Sequence, residues 1–195
     1  ERIIAPALQA DRPVRIRCQE ASLEKLLSEL AIHRLDIVLS DQPLPRGLGL
    51  RAYNHRLGES GLSFFARRAV GRQYRTGFPM SLNEAPMLLP SPDSALRRRL
   101  DEWFEGEGIT PRIVAEIDDS ALLKAFGEAG AGLFAGPTVI EKEICRMYRM
   151  SVVGRAPDIK ERFFAISPER RLKHESVVLI TDTARADLFD AAEAD

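Results

Sequence analysis

The sequence has few of the residues from which metal sites, disulfide frameworks and membrane spans are built. Its 195 residues include two cysteines and three histidines. Cys18 and Cys145 have no CxxC or CxxH spacing, which argues against a structural zinc site and fits a reducing compartment, so we expect buried free thiols. No apolar run approaches the ~20 residues that span a bilayer, and no charged-then-apolar leader is present. These absences predict a cytoplasmic protein.

An excess of either charge is also missing, as are the common catalytic motifs. Lysine and arginine number 28 against 29 acidic residues, so the formal net charge of −1 gives no bulk attraction to nucleic acid or membrane. The chain has no GxSxG elbow, no HExxH, no P-loop and no GxGxxG after a strand. We therefore expect no enzyme and no cofactor. Any DNA contact must come from a part of the protein outside this chain.

The chain carries instead the alternation of helix and strand that builds parallel sheets. The helix-like run DDSALLKAF is followed by GEAGAGLFAGPT, which reads as a glycine turn, a short apolar strand and a new helix. Asp118 and Asp119 can cap the first helix, and Gly130 is its left-handed stop. Leu122 and Phe126 lie four apart on its expected inner face. In open parallel sheets ligands bind beyond the carboxyl ends of the strands, so this order is typical of a small-molecule receptor.

Further strand–helix units predict a second lobe that begins at Pro86. MLLP is a brief strand, Ser91 caps the next helix, and Pro92 takes its first helical position. A glycine stop and the strand RIVAEI follow. Two helices of this lobe have apolar residues at helical spacing, namely Leu96, Leu100, Trp103 and Phe104 in one and Ile140, Ile144, Met147 and Tyr148 in the other.

A first lobe is predicted from the two ends of the chain. Arg12–Cys18 alternates apolar and basic residues like a half-buried strand, Ser22 opens a helix with a leucine face, and Leu35–Ser40 and Leu48–Asn54 are further strands. Glu1–Leu8 reads as the end of a helix, so one strand of this sheet is expected to be missing. The acidic tail is expected to fray. The last helix has its inner face formed by Val177, Ile180, Thr181, Ala184 and Leu188.

Two apolar runs, Gly61–Phe65 and Arg162–Ile166, bracket the second lobe. Because short and uncrossed connections are preferred, we expect these runs to lie side by side as a two-strand hinge. The predicted fold class is α/β, with two Rossmann-like subdomains joined by that hinge. Subdomain I comprises residues 1–62 and 163–195, and subdomain II comprises residues 63–162.

Several motifs, in order along the chain, resemble the effector-binding domain of LysR-type transcriptional regulators, whose plan is type 2 periplasmic-binding-protein-like. They include LDIVLSD, AYNHRLGESG, SPDSALRRRLDEWF, LFAGPT and RFFAISPERRLKH, and the resemblance covers essentially the whole chain. Within that family, LDIVLSD, AYNHRLGESG and SPDSALRRRL are most similar to an activator of a sodium/proton antiporter gene. This closer resemblance implies a cytoplasmic transcription activator of such a gene, with sodium or lithium as the signal. The winged helix-turn-helix of the family is not matched, so the resemblance implies DNA binding only through that missing N-terminal domain. It also implies a homodimer through this domain and a tetramer as a further form of the full-length protein.

Three groups of polar residues follow predicted strands and should face a cleft between the lobes. They are Ser91, Asp93 and Ser94; Asp118, Asp119 and Ser120; and Thr138 after Pro137. Helix starts offer free N–H groups and positive potential, which favour an anion. Hard cations prefer carboxylate and carbonyl oxygens, so Asp118 and Asp119 are a second, opposite candidate as a sodium site. The same acids also serve as ordinary helix caps.

A histidine near the predicted hinge is a candidate sensor of pH. His55 lies in sequence beside Asn54 and Glu59, and acidic neighbours can move the titration of a histidine into the cellular range. The plainer interpretation is a hydrogen-bonded hinge histidine. The run Arg97–Arg99 suggests phosphate binding, but a solvated helix face that pairs with nearby acids is the simpler interpretation.

Two other function classes share the two-lobe plan. A solute-binding protein of the periplasmic type would bind a small anion, although the missing leader and the two cysteines argue against it. A small transferase on the same fold is a third class, which would be recognised because it converts its ligand to a product after binding. Fold similarity alone does not separate these classes. Our leading hypothesis is a ligand-sensing domain in which effector binding biases the angle between the lobes.

Overall fold

A computed structural model describes residues 3–9 and 14–189 of the chain. The expectations for the acidic tail beyond 189 and for Arg12 and Pro13 fall outside these residues. The helices are α1 (Ala5–Leu8), α2 (Leu23–Ala31), α3 (Arg68–Arg75), α4 (Ala95–Glu107), α5 (Ser120–Ala129), α6 (Glu141–Met147) and α7 (Glu175–Thr183). The strands are β1 (Val38–Ser40), β2 (Tyr53–Arg67), β3 (Pro86–Leu89), β4 (Arg112–Glu116), β5 (Phe134–Pro137) and β6 (Met150–Ser167).

The chain divides into two compact units. Unit 1 comprises Glu1–Glu59 and Arg162–Asp195, and unit 2 comprises Ser60–Glu161. The chain passes between the units along β2 and β6, which are neighbours in a four-stranded sheet of order β1-β6-β2-β5. The two predicted apolar runs lie inside these two long strands. Sequence patterning indicated Leu48–Asn54 as a separate strand, but the regular pairing begins only at Tyr53 and continues as one strand to Arg67.

Unit 2 is built on short parallel strands with helices on both faces, as the strand–helix pattern predicts. β3 pairs in parallel with β4, and Leu133 beside β5 forms a parallel bridge to Met87. Side chains alternate across β3: Met87 and Leu89 join a core with Leu100 of α4, whereas Leu88 joins a second core with Phe134. This period-2 alternation explains why a continuous apolar strand is needed here, because both of its faces are buried.

The start of α4 differs from the prediction. Ser91 does not cap the helix; Ser94 does, and its hydroxyl accepts the N–H of Arg97 at 3.0 Å. The reason is that the N–H of Ser94 bonds to the carbonyl of Ser91 at 3.0 Å, so a turn comes before the helix. The predicted glycine stop is confirmed, because Gly108 adopts φ 69° at the C-cap.

The inner face of α5 is one residue out of phase with the prediction. Leu122 and Phe126 are exposed, whereas Leu123 and Gly127 are buried. A Cβ at Gly127 would lie 2.5 Å from a ring carbon of Phe134, so the helix approaches β5 at a glycine. The left-handed stop at Gly130 is confirmed by its φ of 89°.

Unit 1 has a small core between α2 and the strands. Ser22 caps α2 as predicted, and Leu27 and Leu30 of the leucine face pack with Val38 and Ile166. The predicted strand over Arg12–Cys18 is not formed in its described part, residues 14–18. A strand requires a neighbour that satisfies its N–H and C=O groups, and no strand within the described ranges pairs with it. Cys18 is exposed there rather than buried, and both cysteines are free.

The last helix of unit 1 contains a change of helical period. α7 continues as a π-helical turn over Ala184–Phe189. The extra residue per turn rotates the face, so Phe189 is buried where the regular 3.6-residue period predicts Leu188. Phe189 packs on Phe163 with ring centroids 5.4 Å apart, and a Cβ at Gly58 would lie within 2.1 Å of the Phe189 ring.

Candidate functional site

The polar groups at the strand ends of unit 2 come together in part. After β3, the hydroxyl of Ser91 donates a hydrogen bond to the carboxylate of Asp118, which follows β4. The two residues are 27 positions apart, and the parallel pairing of β3 with β4 is what brings them together. Ser91 and Asp118 are therefore neighbours at one edge of the sheet, as parallel topology leads us to expect.

Two other predicted site residues are helix caps. Ser94 caps α4, and Asp119 caps α5 by accepting the N–H groups of Ala121 and Leu122 at 2.7 and 3.0 Å. These backbone hydrogen bonds hold the pKa of Asp119 below its ordinary value. Ser120 contributes its carbonyl and hydroxyl to the ammonium group of Lys124. The carbonyl of Asp93 accepts a bond from Arg98 at 2.9 Å.

The side chain of Arg97 forms hydrogen bonds near the ends of both β3 and β4. Its side chain is only 10% exposed, and it donates to the carboxylates of Asp101 and Glu116 and to the carbonyl of Pro90. Burial by itself lowers the pKa of Arg97, but the bonds to Glu116 and Asp101 raise it overall, so the guanidinium stays charged. The predicted solvated arginine face is therefore wrong for Arg97, whereas its predicted pairing with an acid of the same helix is confirmed, at 2.9 Å from Asp101. A guanidinium carries five donors in a rigid fork, which suits it to this junction.

Thr138 belongs to a different cluster, which also contains Ser63, Glu141 and Arg155. The buried hydroxyl of Ser63 lies 2.9 Å from the hydroxyl of Thr138 and donates to a carboxylate oxygen of Glu141 at 2.9 Å. Arg155 of β6 holds both oxygens of the same carboxylate at 2.6 and 3.0 Å. We call these four residues the Glu141 cluster.

The Glu141 cluster keeps its carboxylate charged although the site is largely buried. Burial alone raises the pKa of Glu141, but the hydrogen bonds from Arg155 and Ser63 outweigh it, so the pKa of this carboxyl is lowered. The negative charge also acts on α6. Burial, followed by the charge of Glu141, raises the pKa of the Cys145 thiol.

The sequence analysis missed Ser63, Glu141 and Arg155. Thr138 and Glu141 have the T-x-x-E spacing of a capping box, and that spacing was the available signal for Glu141. Ser63 and Arg155 carry no local signal, since the pairing of β2 with β5 and the long return along β6 place them beside Glu141.

The predicted sensing residues Asn54, His55 and Glu59 lie in unit 1. The side chain of Asn54 accepts the N–H of Leu44 at 2.8 Å, and Glu59 pairs with Arg162 at 3.1 Å. The Nε2 atom of His55 lies 3.0 Å from the hydroxyl of Ser167 and 3.1 Å from the carbonyl of Glu169.

All three histidines of the chain surround one segment of unit 1. His33 and His174, together with Ser167 and Glu169, line a cavity of about 330 Å³. His55 reaches the same Ser167 and Glu169.

The predicted sodium ligands Asp118 and Asp119 lie outside any larger cluster of metal-ligating side chains in the described part of the chain. Across residues 3–9 and 14–189 there is no group of three or more histidine, cysteine or acidic side chains that could hold a metal ion. Asp118 is engaged by Ser91 and Asp119 by the start of α5. In the part of the chain that the structure describes, no helix is long and apolar enough to cross a membrane.

Sequence comparison matches the chain to regulators of transcription. The family model described as the LysR substrate binding domain matches residues 2–188. The transcriptional activator protein NhaR of Escherichia coli is 32% identical over 190 residues, which are 97% of this chain and 62% of NhaR. NhaR of Shigella flexneri matches to the same extent. The chain thus spans less than two thirds of the length of these relatives.

Structural comparison supports the predicted fold class. HinK, a LysR family transcriptional regulator from Pseudomonas aeruginosa, gives a TM-score of 0.70 at 20% identity, with 97% of this chain and 65% of HinK covered. The BenM effector binding domain with its effector benzoate also gives 0.70 at 18% identity, with 99% and 86% covered. The α/β, type 2 periplasmic-binding-protein-like fold is therefore confirmed. By the extent of the family match and the identity to NhaR, this chain belongs to the LysR substrate-binding domain family and is an effector-binding domain of transcription regulators rather than an enzyme.

Proposed function

We propose that this chain is the effector-sensing domain of a cytoplasmic transcription activator that responds to sodium or lithium ions, or to pH, and controls a sodium/proton antiporter gene. The observation that carries the proposal is the 32% identity to NhaR, a transcriptional activator, over 97% of the chain. An identity that extends over both units supports a shared activity more strongly than a match of a few motifs would.

We also infer that effector binding acts through the two long strands. β2 and β6 carry the chain from one unit to the other and back. A ligand that binds one arrangement of such a molecule more tightly shifts the population toward it. In the full-length protein this shift would rearrange the oligomer and its DNA-binding domains, which are the only part proposed to contact DNA.

The proposed homodimer is supported by exposed apolar faces on both units. In unit 1, Leu39 lies on the edge strand β1 and is 41% exposed. In unit 2, Ile113 of β4 and Leu122 and Phe126 of α5 are each between 43% and 48% exposed. Apolar side chains gain free energy when a partner removes them from water, and an edge strand can pair with a second chain. We propose that two copies cover these faces, with a tetramer as a further form of the full-length protein.

The effector-binding residues proposed at the strand ends are Ser91, Asp93, Ser94, Asp118, Asp119, Ser120 and Thr138. The hydrogen bond between Ser91 and Asp118 supports the inclusion of these two residues, because it shows that their side chains lie together. Benzoate is the effector named for BenM, and a similar small anion at the helix starts is the alternative to a cation. The second candidate function is a solute-binding protein of the periplasmic type. It has the same fold, but it does not account for the match of residues 2–188 to the LysR substrate binding domain.

Differential scanning fluorimetry tests the response to sodium. We expect sodium and lithium chloride to raise the Tm of the protein more than choline chloride does at equal ionic strength. Small carboxylates are measured in the same way to test for an anionic effector. A stabilisation by carboxylates alone would contradict the cation response and favour an anionic effector.

Replacing two acids tests the cation site predicted from the sequence. If sodium binds at Asp118 and Asp119, the double variant Asp118→Asn with Asp119→Asn loses most of the sodium-dependent Tm shift, because neutral amides bind a hard cation more weakly. Both side chains are exposed, so the fold should persist. An unchanged sodium response in the folded double variant would dismiss this pair as the site.

A further inference from the structure

A basic cavity in unit 2 lies where the start of α3, the end of α5 and the turn before β6 come together. Its volume is about 380 Å³, and it is lined by Arg67, Arg68, Ala69, Glu128 and Arg149. Three of these residues are arginines and one is an acid, so the lining has more positive than negative charge. None of them belongs to the strand-end residues that we propose as the effector site.

The positive charges of this cavity are only partly balanced by other side chains. The Nε atom of Arg149 lies 4.0 Å from a carboxylate oxygen of Glu128, which is beyond hydrogen-bond distance, and the Arg149 side chain is 85% exposed. An ion pair so long and so exposed is weak. The Arg67 side chain makes no hydrogen bond or ion pair to the other residues that the structure describes. The guanidinium groups therefore repel one another, and an anion bound between them would reduce that repulsion.

Arg68 fixes the geometry of the cavity. Its Nε atom donates to the carbonyl of Met150 at 3.3 Å, and its Nη2 atom donates to the carbonyl of Cys145 at 3.4 Å. Its backbone N–H donates to the carbonyl of Arg149 at 3.4 Å. Arg68 therefore holds the turn that carries Arg149 from both sides. Because a guanidinium has five N–H donors, Arg68 retains donors for an anion.

Arg149 has a left-handed backbone conformation, which an arginine rarely adopts. Its φ is 51°, and it follows the C-cap of α6, a position where glycine is the usual residue. Glycine would adopt this conformation without steric strain. The local backbone thus favours glycine, and what the arginine adds is a guanidinium at the cavity.

We propose that this cavity binds a small oxyanion that carries several negative charges, as polyphosphates and polycarboxylates do. Small-molecule sites have volumes of about 300–1,000 Å³, so a cavity of about 380 Å³ has room for more than one phosphate or carboxylate group. Guanidinium groups bind phosphate and carboxylate oxygens through paired hydrogen bonds. The proposed site is separate from the cation response proposed above and does not depend on it.

The experiment is isothermal titration calorimetry with pyrophosphate and with citrate, both as choline salts at constant ionic strength and at two temperatures. The variants are Arg149→Gly, Arg67→Gln and Glu128→Gln. Glu84→Gly is the matched control, because Glu84 is also an exposed charged residue of unit 2 with a left-handed backbone, at φ 55°, and it does not line the cavity. Urea denaturation without anion measures the stability of each variant.

We expect the unchanged protein to bind at least one of the two anions, with a Kd that rises with ionic strength. Arg149→Gly and Arg67→Gln should each raise that Kd about tenfold, and Glu128→Gln should lower it about threefold because it removes the acid of the lining. Arg149→Gly should be at least as stable as the unchanged protein, so its loss of affinity is not a loss of fold. Glu84→Gly should bind like the unchanged protein. The preference between pyrophosphate and citrate identifies the class of oxyanion.

Two results would overturn the site. One is the absence of binding heat with both anions at both temperatures. The other is an unaltered Kd in Arg149→Gly and Arg67→Gln, which would place the bound anion elsewhere on the protein. Neither result bears on the response to sodium or lithium, because the titrations contain neither ion.

Discussion

At the scale of single residues, unit 2 holds its charged side chains by multiple hydrogen bonds at the junctions between elements. Arg97 reaches α4, the end of β3 and the end of β4, and Arg155 joins β6 to the start of α6. A buried charge is tolerated only when it is paired and hydrogen-bonded. Substituting one member of such a charge pair therefore lowers the free energy of unfolding, by an amount that depends on how well water can solvate the charge that remains.

Substitution of Arg97 should destabilise the protein more than substitution of its neighbour. We expect Arg97→Met to lower the free energy of unfolding by about 1–3 kcal/mol, because it leaves the carbonyl of Pro90 and the carboxylate of Glu116 without their shared donor. Urea denaturation measures the change. The control is Arg98→Met, which removes one exposed bond to the carbonyl of Asp93 and should change stability by less than about 0.5 kcal/mol. Equal effects of the two substitutions would contradict the role of Arg97.

The stability that Glu141 contributes should depend on pH. Its pKa is lowered in the folded protein, so the folded state gains stability from this carboxylate above the ordinary value of 4.5 and loses it as the pH falls through the lower folded value. We therefore expect Glu141→Gln to be less stable than the unchanged protein at pH 7, with the difference shrinking below about pH 4.5. Urea denaturation at several pH values checks this. A difference that grows on acidification would contradict the assigned charge state.

At the scale of secondary-structure elements, glycines decide how closely helices pack on strands. Gly127 of α5 lies against Phe134 and Met150, where a side chain has no room. Gly106 of α4 has no atom within 4 Å of the position that a Cβ would take. Both glycines are inside helices, where glycine is intrinsically unfavourable relative to alanine. The two positions separate the packing effect from the helix propensity.

Alanine at the two positions should have opposite effects. Gly127→Ala should destabilise the protein by about 1–3 kcal/mol, since its Cβ would lie 2.5 Å from the Phe134 ring and overpack the second core of unit 2. Gly106→Ala should stabilise it by up to about 1 kcal/mol through helix propensity alone. Thermal and urea unfolding measure both. Stabilisation by Gly127→Ala would show that α5 can move away from β5 without cost.

At the scale of the whole molecule, the apolar faces of α5 and β4 concern association. Leu122 and Phe126 are part of an exposed apolar face although the sequence predicts them inside. A contiguous exposed apolar surface usually marks an interaction site. The proposed dimer gives these side chains the burial that their own unit does not.

Charged residues on this face should separate the dimer. We expect Leu122→Glu combined with Phe126→Glu to convert the homodimer to monomer, because two carboxylates would have to be desolvated at the interface. Sedimentation velocity measures the mass. The control is Met147→Glu, an exposed apolar position on α6 with 58% exposure, which should leave the mass unchanged. A dimer that persists in the double variant would place the interface elsewhere.

Local chemistry in the sequence determined the elements, the glycine stops and the fold class. The caps Ser22 and Asp119 and the stops at Gly108 and Gly130 follow from short-range hydrogen bonding and backbone freedom, which neighbouring residues fix by themselves. The resemblance of the motifs likewise indicated the family, which the comparisons confirm.

Tertiary structure decided the phase of the helices and the composition of the polar clusters. The burial of Leu123 in place of Leu122 depends on where α5 crosses β5, and the burial of Phe189 depends on a π-helical turn that the 3.6-residue period cannot anticipate. Ser63 and Arg155 meet Glu141 from strands 78 and 14 positions away. No local pattern specifies such a meeting, because it depends on strand pairing and on the energy of burying a charge among several chain segments at once.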